Sequence, residues 1–472
     1  MHRVLAAILL CCACQAPDQS LGRENTETTD ITAPTLDLVA IGTISGTISD
    51  LSDETADPLE NGVAGNLLGG LGSGIAYAGC NTFLAVPDRG PNAVSYNAAL
   101  DDTASYINRF QTFELRLERS APGSALPFDL SPELVDTTLL HSRWPLYYAD
   151  GATPALNEAD DTYYFTGRSD NFDPAVSIST NPDDARLDPE SIRVSHDGSH
   201  VYISDEYGPH IYEFNRWTGH RVRTFDLPAE FAVVHESPQG AVEISGNTSG
   251  RVANKGMEGL AITPDGRTLV GAMQSPLLQD GGTAARYTRI VTIEIRSGEM
   301  HQYAYPLTNI GTASKPKYPT ISEIVAVNDH EFLVDERDGK GLGDDSVAAF
   351  KQLFHIDLDG AQDVSGISGE ANLAGAAVGK TPFLDIVATL TAHGIAPENI
   401  PAKLEGLAFG PDIRMGGALR HTLFVTNDND FIGHVTDSHH PAPGIDNPNQ
   451  FFVFAIDPAL LPGFEHQRIR GH

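Results

Sequence analysis

Gly256 to Leu277 reads GMEGLAITPDGRTLVGAMQSPL, and its two short apolar runs decide the fold. Gly259–Ile262 and Thr268–Met273 are rich in strand-forming residues, and Pro264-Asp265-Gly266 between them is a turn signal. Glycine supplies the positive φ that a tight hairpin needs. An antiparallel hairpin returns its second strand to the level where the first began. Glu258, just before strand one, and Gln274, just after strand two, are therefore expected on one edge of a sheet.

The same arrangement recurs along the chain. Glu405–Asp412 reads EGLAFGPD against EGLAITPD at Glu258–Asp265, and the strand after it ends at Asn427-Asp428. Glu190 opens ESIRVSHDG, whose partner strand ends at Asp205-Glu206. Glu323 opens EIVAVNDHE, whose partner ends at Asp335-Glu336-Arg337. A weaker copy starts at Ser73, SGIAYAGCN, and its partner leads to Pro87-Asp88-Arg89. A unit of about 65 residues fits the middle spacings, so the interval from 73 to 190 is read as holding two units. The hidden copy is expected between 120 and 185, with Tyr163–Thr166 as one of its strands. That predicts an all-β propeller of six blades, each of four antiparallel strands, because a lone blade cannot bury both of its faces. A strand near Leu36–Ile41 is expected to pair with the last blade and close the ring. Cys80 reads as a small packed side chain within a strand. Near 381–392, Thr381-Pro382 and the apolar spacing that follows predict a short capped helix, inserted on the rim.

Composition narrows the function. The chain has 30 Lys+Arg against 63 Asp+Glu, a net charge of −33, which argues against nucleic acid or an anionic membrane surface as partner. Residues 1–13 read as a signal peptide: Arg3 precedes the apolar run Val4–Leu10, too short to span a bilayer. Cys11-Cys12-Ala13-Cys14 resembles a bacterial lipobox, which would make Cys14 the lipidated first residue of the mature chain; an ordinary cleaved signal peptide is the alternative. Residues 14–34 read as a flexible tether and 35–472 as the propeller domain. The expected protein is exported, periplasmic or anchored to the outer membrane, touches a membrane only through its lipid, and is a monomer.

The repeat's phase brings acidic residues to one mouth of the channel. Glu190, Glu258, Glu323 and Glu405 come from strand starts; Asp88, Asp205, Glu206, Asp335, Glu336 and Asp428 come from returning strands. Gln274 and Asn427 add neutral oxygens, and Arg89 and Arg337 add cations. Gathered carboxylates repel unless something neutralises them, and hard divalent cations such as Ca²⁺ take oxygen ligands of this kind. Other chemistries are thinly supported. There is no G-x-S-x-G elbow and no H-E-x-x-H. Gly375–Thr381, GAAVGKT, is one residue short of a phosphate loop. The 17 histidines are scattered, and His196, His200, His210 and His220 show no ligand spacing.

DPESIRVSHDGSHVYISDEYGPHIYEF (188–214), GMEGLAITPDG with MQSPL after it, ISEIVAVNDHEFLVDERDGKG and KLEGLAFGPD together resemble the phytase-like domain family, also described as the esterase-like activity of phytase. The resemblance covers most of the chain after the tether. It implies an exported β-propeller with hydrolase activity on phosphate or other esters. On that basis the expected function is metal-dependent hydrolysis of a small anionic ester, foremost a phosphomonoester. Glu190, Asp205, Glu206, Glu323, Asp335, Glu336 and Asp428 would hold Ca²⁺ or another divalent cation. Arg89 and Arg337 would grip phosphate oxygens, and Glu258 or Glu405 would act as general base. A non-catalytic binding propeller and a lactonase-like metal propeller are the alternatives.

Overall fold

The computed structural model describes residues 34–157, 161–176 and 178–470. Residues 1–33 lie outside that set, and with them the expected signal peptide, Cys14 and all of the tether but Pro34.

The chain forms a β-propeller of five blades, not six. Each blade begins with the strand next to the axis: Gly74–Tyr77, Pro189–Val194, Met257–Ile262, Thr320–Ala326 and Lys403–Phe409. These five pack side by side in a closed ring, the fifth against the first. In blades 1 to 4 the three further strands follow outward in chain order. Blade 5 takes its outermost strand from the start of the chain. Leu36–Ile44 pairs antiparallel with Asn449–Ile456, closing the ring as the sequence suggested.

The missing blade has a local explanation. Blade 1 carries two unusually long strands, Arg109–Arg119 and Phe128–Leu139, paired along their whole length. They use up the chain that a sixth unit would need. Among its described residues, the segment after them forms a two-residue ladder, His141–Ser142 with Tyr163–Tyr164, a 3-10 turn at Pro174–Val176 and isolated bridges such as Tyr147–Asp184, but no four-stranded sheet.

Five hydrophobic clusters hold the ring, one at each junction between blades. Ile192, Val201 and Tyr212 of blade 2 meet Leu84 and Phe110 of blade 1. Leu404 and Leu407 of blade 5 meet Leu333 and Leu353 of blade 4. Both faces of every sheet are thus covered, which is why the inner strands read as continuous apolar runs rather than alternating ones.

Two local expectations need correction. Thr381 and Pro382 are not helical; they lie in Lys380–Asp385, the outer strand of blade 4, where a proline is tolerated because its N side needs no ladder partner. The helix follows at Ile386–Ala392, and the Asp385 carboxylate caps it by accepting from the Ala388 N–H at 2.9 Å. Cys80 is in the turn between two strands of blade 1, half-buried, with φ 52°.

The channel is not open from end to end. Arg193, on the inner strand of blade 2, is buried on the axis. It donates to the carbonyls of Ile75 (2.7 Å), Ile192 (2.6 Å), Ile324 (3.0 Å) and Leu407 (3.2 Å), which belong to four blades. Glu323 pairs with it at 3.0 Å. Beyond this plug, the C-terminal residues run across the far mouth as a strap. Glu465 N–H donates to Val327, Gln467 to Val194, Arg468 N–H to Pro264 and Arg470 N–H to His196, so one segment ties blades 4, 3 and 2 together.

Candidate functional site

At the near mouth, above the plug, lies a cavity of about 490 Å³. Its wall follows from a shared irregularity. In blades 2 to 5 the inner strand carries a β-bulge at the same level, at Glu190/Ser191, Glu258, Ser322 and Glu405/Gly406. Bulges re-aim side chains. Glu190, Glu258 and Glu405 all line the cavity. Each returning strand adds a residue at its end: Glu206 and Gln274 just past the last ladder pair, Arg337 and Asp428 within that pair, and in blade 1 Asp88, two residues beyond it. Arg89 completes the predicted residues that reach it.

Five predicted residues are not among those lining the cavity. Glu323 is one position out of phase. The bulge in blade 4 falls on Ser322, so Ser322 matches Glu258, and Glu323 turns inward to the plug. There it also accepts from Ser191 Oγ (2.8 Å) and the Leu260 N–H (2.9 Å), and burial pushes its carboxyl up to about 7. Asp205, Glu336 and Asn427 each precede a cavity residue, and alternation along a strand sends neighbours to opposite sides. Asp205 accepts from the N–H groups of Asp188, Tyr207 and Gly208 and holds the turn after its strand. Glu336 takes the Tyr305 hydroxyl at 2.7 Å and the Thr308 N–H at 3.0 Å, and pairs with Lys380. Asn427 accepts from the Gln450 N–H at 2.6 Å. Asp335 lies two residues before Arg337, fully buried; its oxygens have no hydrogen-bond partner among the described residues, and burial pushes its carboxyl well above the usual range.

Lys403, Lys255 and Asp430 line the cavity too, and Asp188 stands behind it. Part of the charge is paired. Arg89 Nη1 meets Asp188 at 2.7 Å. Lys403 Nζ meets Asp428 at 2.7 Å and also Asp430. Arg337 pairs with Glu405 while its Nε donates to Ser322 Oγ at 2.7 Å. The remaining carboxyls, Asp88, Glu190, Glu206 and Glu258, have no salt-bridge partner among the described residues. Burial, then their carboxylate neighbours, push Asp88, Glu190 and Glu258 well above the usual carboxylate range. Glu206 is raised by burial and Asp188, and it shares a hydrogen bond with Glu258. Glu258 Oε2 is buried without a hydrogen-bond partner. Lys403 is held well above its usual value: burial opposes its charge, but Asp428, Asp430, Glu405 and Asp88 outweigh it.

Two groups of carboxylates have donor atoms within 4.8 Å of one another: Asp188, Glu190 and Glu206, and Asp88, Asp428 and Asp430. Both could hold a metal ion. The donors are all oxygen, and the orphaned Glu258 oxygen lies beside them, so the set fits a hard divalent cation.

The family model of the phytase-like proteins, described as "Esterase-like activity of phytase", matches residues 66–431. The chain belongs to the phytase-like family. An uncharacterized secreted protein of Arthroderma benhamiae is 30% identical over 330 residues, 58% of this chain and 60% of that one, so the match spans less than two thirds of the relative. Among solved structures, the periplasmic gluconolactonase PpgL of Pseudomonas aeruginosa is similar at 11% identity and a TM-score of 0.33, covering 90% of this chain and 100% of that one. The allergen Mala s 1 of Malassezia sympodialis is similar at 12% identity and a TM-score of 0.34, covering 81% and 77%. Among the described residues of this phytase-like chain no helix is long and apolar enough to cross a membrane.

Proposed function

We propose that this phytase-like protein is an exported, metal-assisted ester hydrolase acting on phosphomonoesters at the acidic cavity. The observation that carries the reading is the imbalance of charge: seven acidic residues line the cavity against the four cations Arg89, Lys255, Arg337 and Lys403, and Asp88, Glu190, Glu206 and Glu258 have no ion-pair partner among the described residues. Carboxyls so placed are stabilised by a cation. Asp188, Glu190 and Glu206 would hold it, and Ca²⁺ suits their oxygens. When bound, such an ion supplies charge that screens an anionic ester and acidifies water.

The chain's own groups divide the remaining work. Arg89 lines the cavity with one guanidinium nitrogen on Asp188, and its buried Nε is unpartnered, so it is the arginine suited to take a phosphate oxygen. Arg337 is committed to Glu405, which leaves Glu258 rather than Glu405 as general base. Burial, then Glu206 and Glu405, push the Glu258 carboxyl well above the usual range, which strengthens it as a base. Export is supported by the Arg3–Leu10 signal pattern and by the secreted relative; anchoring through Cys14 rests on the lipobox resemblance.

The test is turnover of p-nitrophenyl phosphate and p-nitrophenyl acetate with Ca²⁺ and after chelation. Phosphate-ester turnover that disappears on chelation and in Glu258→Gln is expected. No turnover of either ester by the metal-replete protein would overturn the reading, and a Ca²⁺-driven rise in Tm without turnover would point to a binding protein instead.

A further inference from the structure

At the far mouth, on the other side of the plug, a second group of ligating side chains meets. Asp412 follows the inner strand of blade 5, His421 sits on the neighbouring strand Ala418–Asp428, and His466 belongs to the C-terminal strap. Both imidazoles converge on one oxygen. His421 Nδ1 is 2.8 Å and His466 Nε2 3.2 Å from Asp412 Oδ1. One donor atom from each of the three lies within 4.8 Å of the other two. The rings are held by Phe464, whose centroid is 4.3 Å from His421, 4.8 Å from His466 and 4.5 Å from Phe409.

We propose that Asp412, His421 and His466 form a site for a divalent transition-metal ion that staples the C-terminal strap to blade 5. The donor set decides the class of metal. Two imidazoles and one carboxylate suit zinc and its neighbours, whereas the all-oxygen cavity at the other mouth suits calcium. The spacing also fits. Zinc with ligands at ~2.0–2.1 Å in a tetrahedron sets donors ~3.3 Å apart, a few tenths of an ångström from the separations to Asp412. The site is reachable: the His466 side chain is 49% exposed, while those of His421 and Asp412 are 11% and 18% exposed. Solvent on the His466 side leaves room for water as a fourth ligand.

The site has a structural consequence of its own. Strap residues 465–470 are tied to blades 4, 3 and 2 by hydrogen bonds, and Ile469 is buried in the junction of blades 1 and 2. Against blade 5 the C-terminal run packs Phe464 on Phe409 and His421, and its ion pair there is the one between His466 and Asp412. A metal there converts a hydrogen-bonded contact into a coordinate bond at the point where the strap crosses the blade that already closes the ring. Zinc takes the place of the N–H hydrogens facing Asp412, and a neutral imidazole then carries its proton on the other ring nitrogen.

The experiment is calorimetric titration of Zn²⁺ into chelator-treated full chain, with excess Ca²⁺ present to occupy the acidic cavity. One equivalent should bind with a micromolar or lower Kd. His466→Ala and His421→Gln should weaken that binding at least thirtyfold, and Glu258→Gln should leave it unchanged. At a hundredfold excess over Kd, Zn²⁺ should raise Tm by ~3 °C in the parent and not in His466→Ala. Co²⁺ in place of Zn²⁺ should show d–d absorption that His466→Ala removes. No micromolar Zn²⁺ binding, or identical binding by the parent and His466→Ala, overturns the proposal. None of these readouts uses ester turnover, so the outcome is separate from that of the proposed activity.

Discussion

Replacing Arg193 with methionine tests the plug. The change removes the cation beside Glu323 and the donors to four carbonyls from four blades. At pH 6 Glu323 still holds its proton, so the loss is that of the stranded carbonyls: two left unpaired cost about 3–5 kcal/mol, at ~1–3 kcal/mol each. A domain of about 440 residues unfolds with an entropy of ~0.9 kcal/mol/K, so Tm should fall by ~3–5 °C at pH 6. The deficit should then deepen with pH. Folded Glu323 titrates near 7, above its unfolded value of ~4.3, so between those values the folded state holds a proton the unfolded chain has lost. Stability falls by ~1.4 kcal/mol per pH unit across that window, and in the parent the fall ends near pH 7. Without Arg193 the folded carboxyl keeps its proton to higher pH, so the fall continues. By pH 8.5 the variant should lose ~2 kcal/mol more, or ~2 °C. Melting curves of the parent, Arg193→Met, Glu323→Gln and the double variant, in chelator, measure each quantity. Glu323→Gln should restore most of the loss seen at pH 8.5. An Arg193→Met protein as stable as its parent, or a deficit equal at pH 6 and pH 8.5, refutes the axial role of the pair.

Other outcomes follow from the same geometry. Glu206→Gln should diminish the Ca²⁺-dependent rise in Tm, and Glu258→Gln should reduce phosphate-ester kcat/KM at least a hundredfold, about 2.7 kcal/mol of transition-state stabilisation; melts with and without Ca²⁺ check the first and turnover assays the second. Lys403→Met strands Asp428 and Asp430, so Tm in chelator should fall by ~3–5 °C and Ca²⁺ should recover part of the loss. Asp335 has a raised folded-state value, so its contribution to stability is present below the unfolded carboxylate range and lost as pH rises above it; Asp335→Ser should therefore show a shallower fall of Tm with rising pH than the parent, read from melting curves at stepped pH. Asp385→Ala should cost about 1 kcal/mol through the lost helix cap and leave turnover untouched.

Most of the ring was legible because its inner hairpins repeat both apolar runs and turns. The blade number was not, since a long interval reads equally as an extra unit or as long strands, and Arg109–Arg119 with Phe128–Leu139 make it the latter. The candidate site was legible to within one residue. Ser322-Glu323 aligns by eye with Glu258-Gly259 because both glutamates precede apolar runs, but the bulge in blade 4 falls on the serine, and a shift of one position reverses the direction of a side chain. The same alternation sorts Glu206 from Asp205 and Arg337 from Glu336. Lys403 carried a usable signal, since it stands two residues before Glu405 on the same strand; Asp188 precedes the strand Pro189–Val194, where alternation does not apply. Asp430 lies past a strand end with φ 52°, where no periodicity applies. The Asp412, His421 and His466 group joins segments distant in sequence, so no local spacing announces it.

The plug and the strap make the propeller a cup rather than a tube. Whatever is released at the acidic end retraces the path by which its precursor arrived, past Arg89 and Lys403 at the lip. For an ester hydrolase, outgoing anion and incoming ester then contend for one doorway and the same cations. Free phosphate should accordingly act as a competitive inhibitor, and the rate at which the lip is vacated sets a ceiling on turnover that faster chemistry at the floor cannot lift.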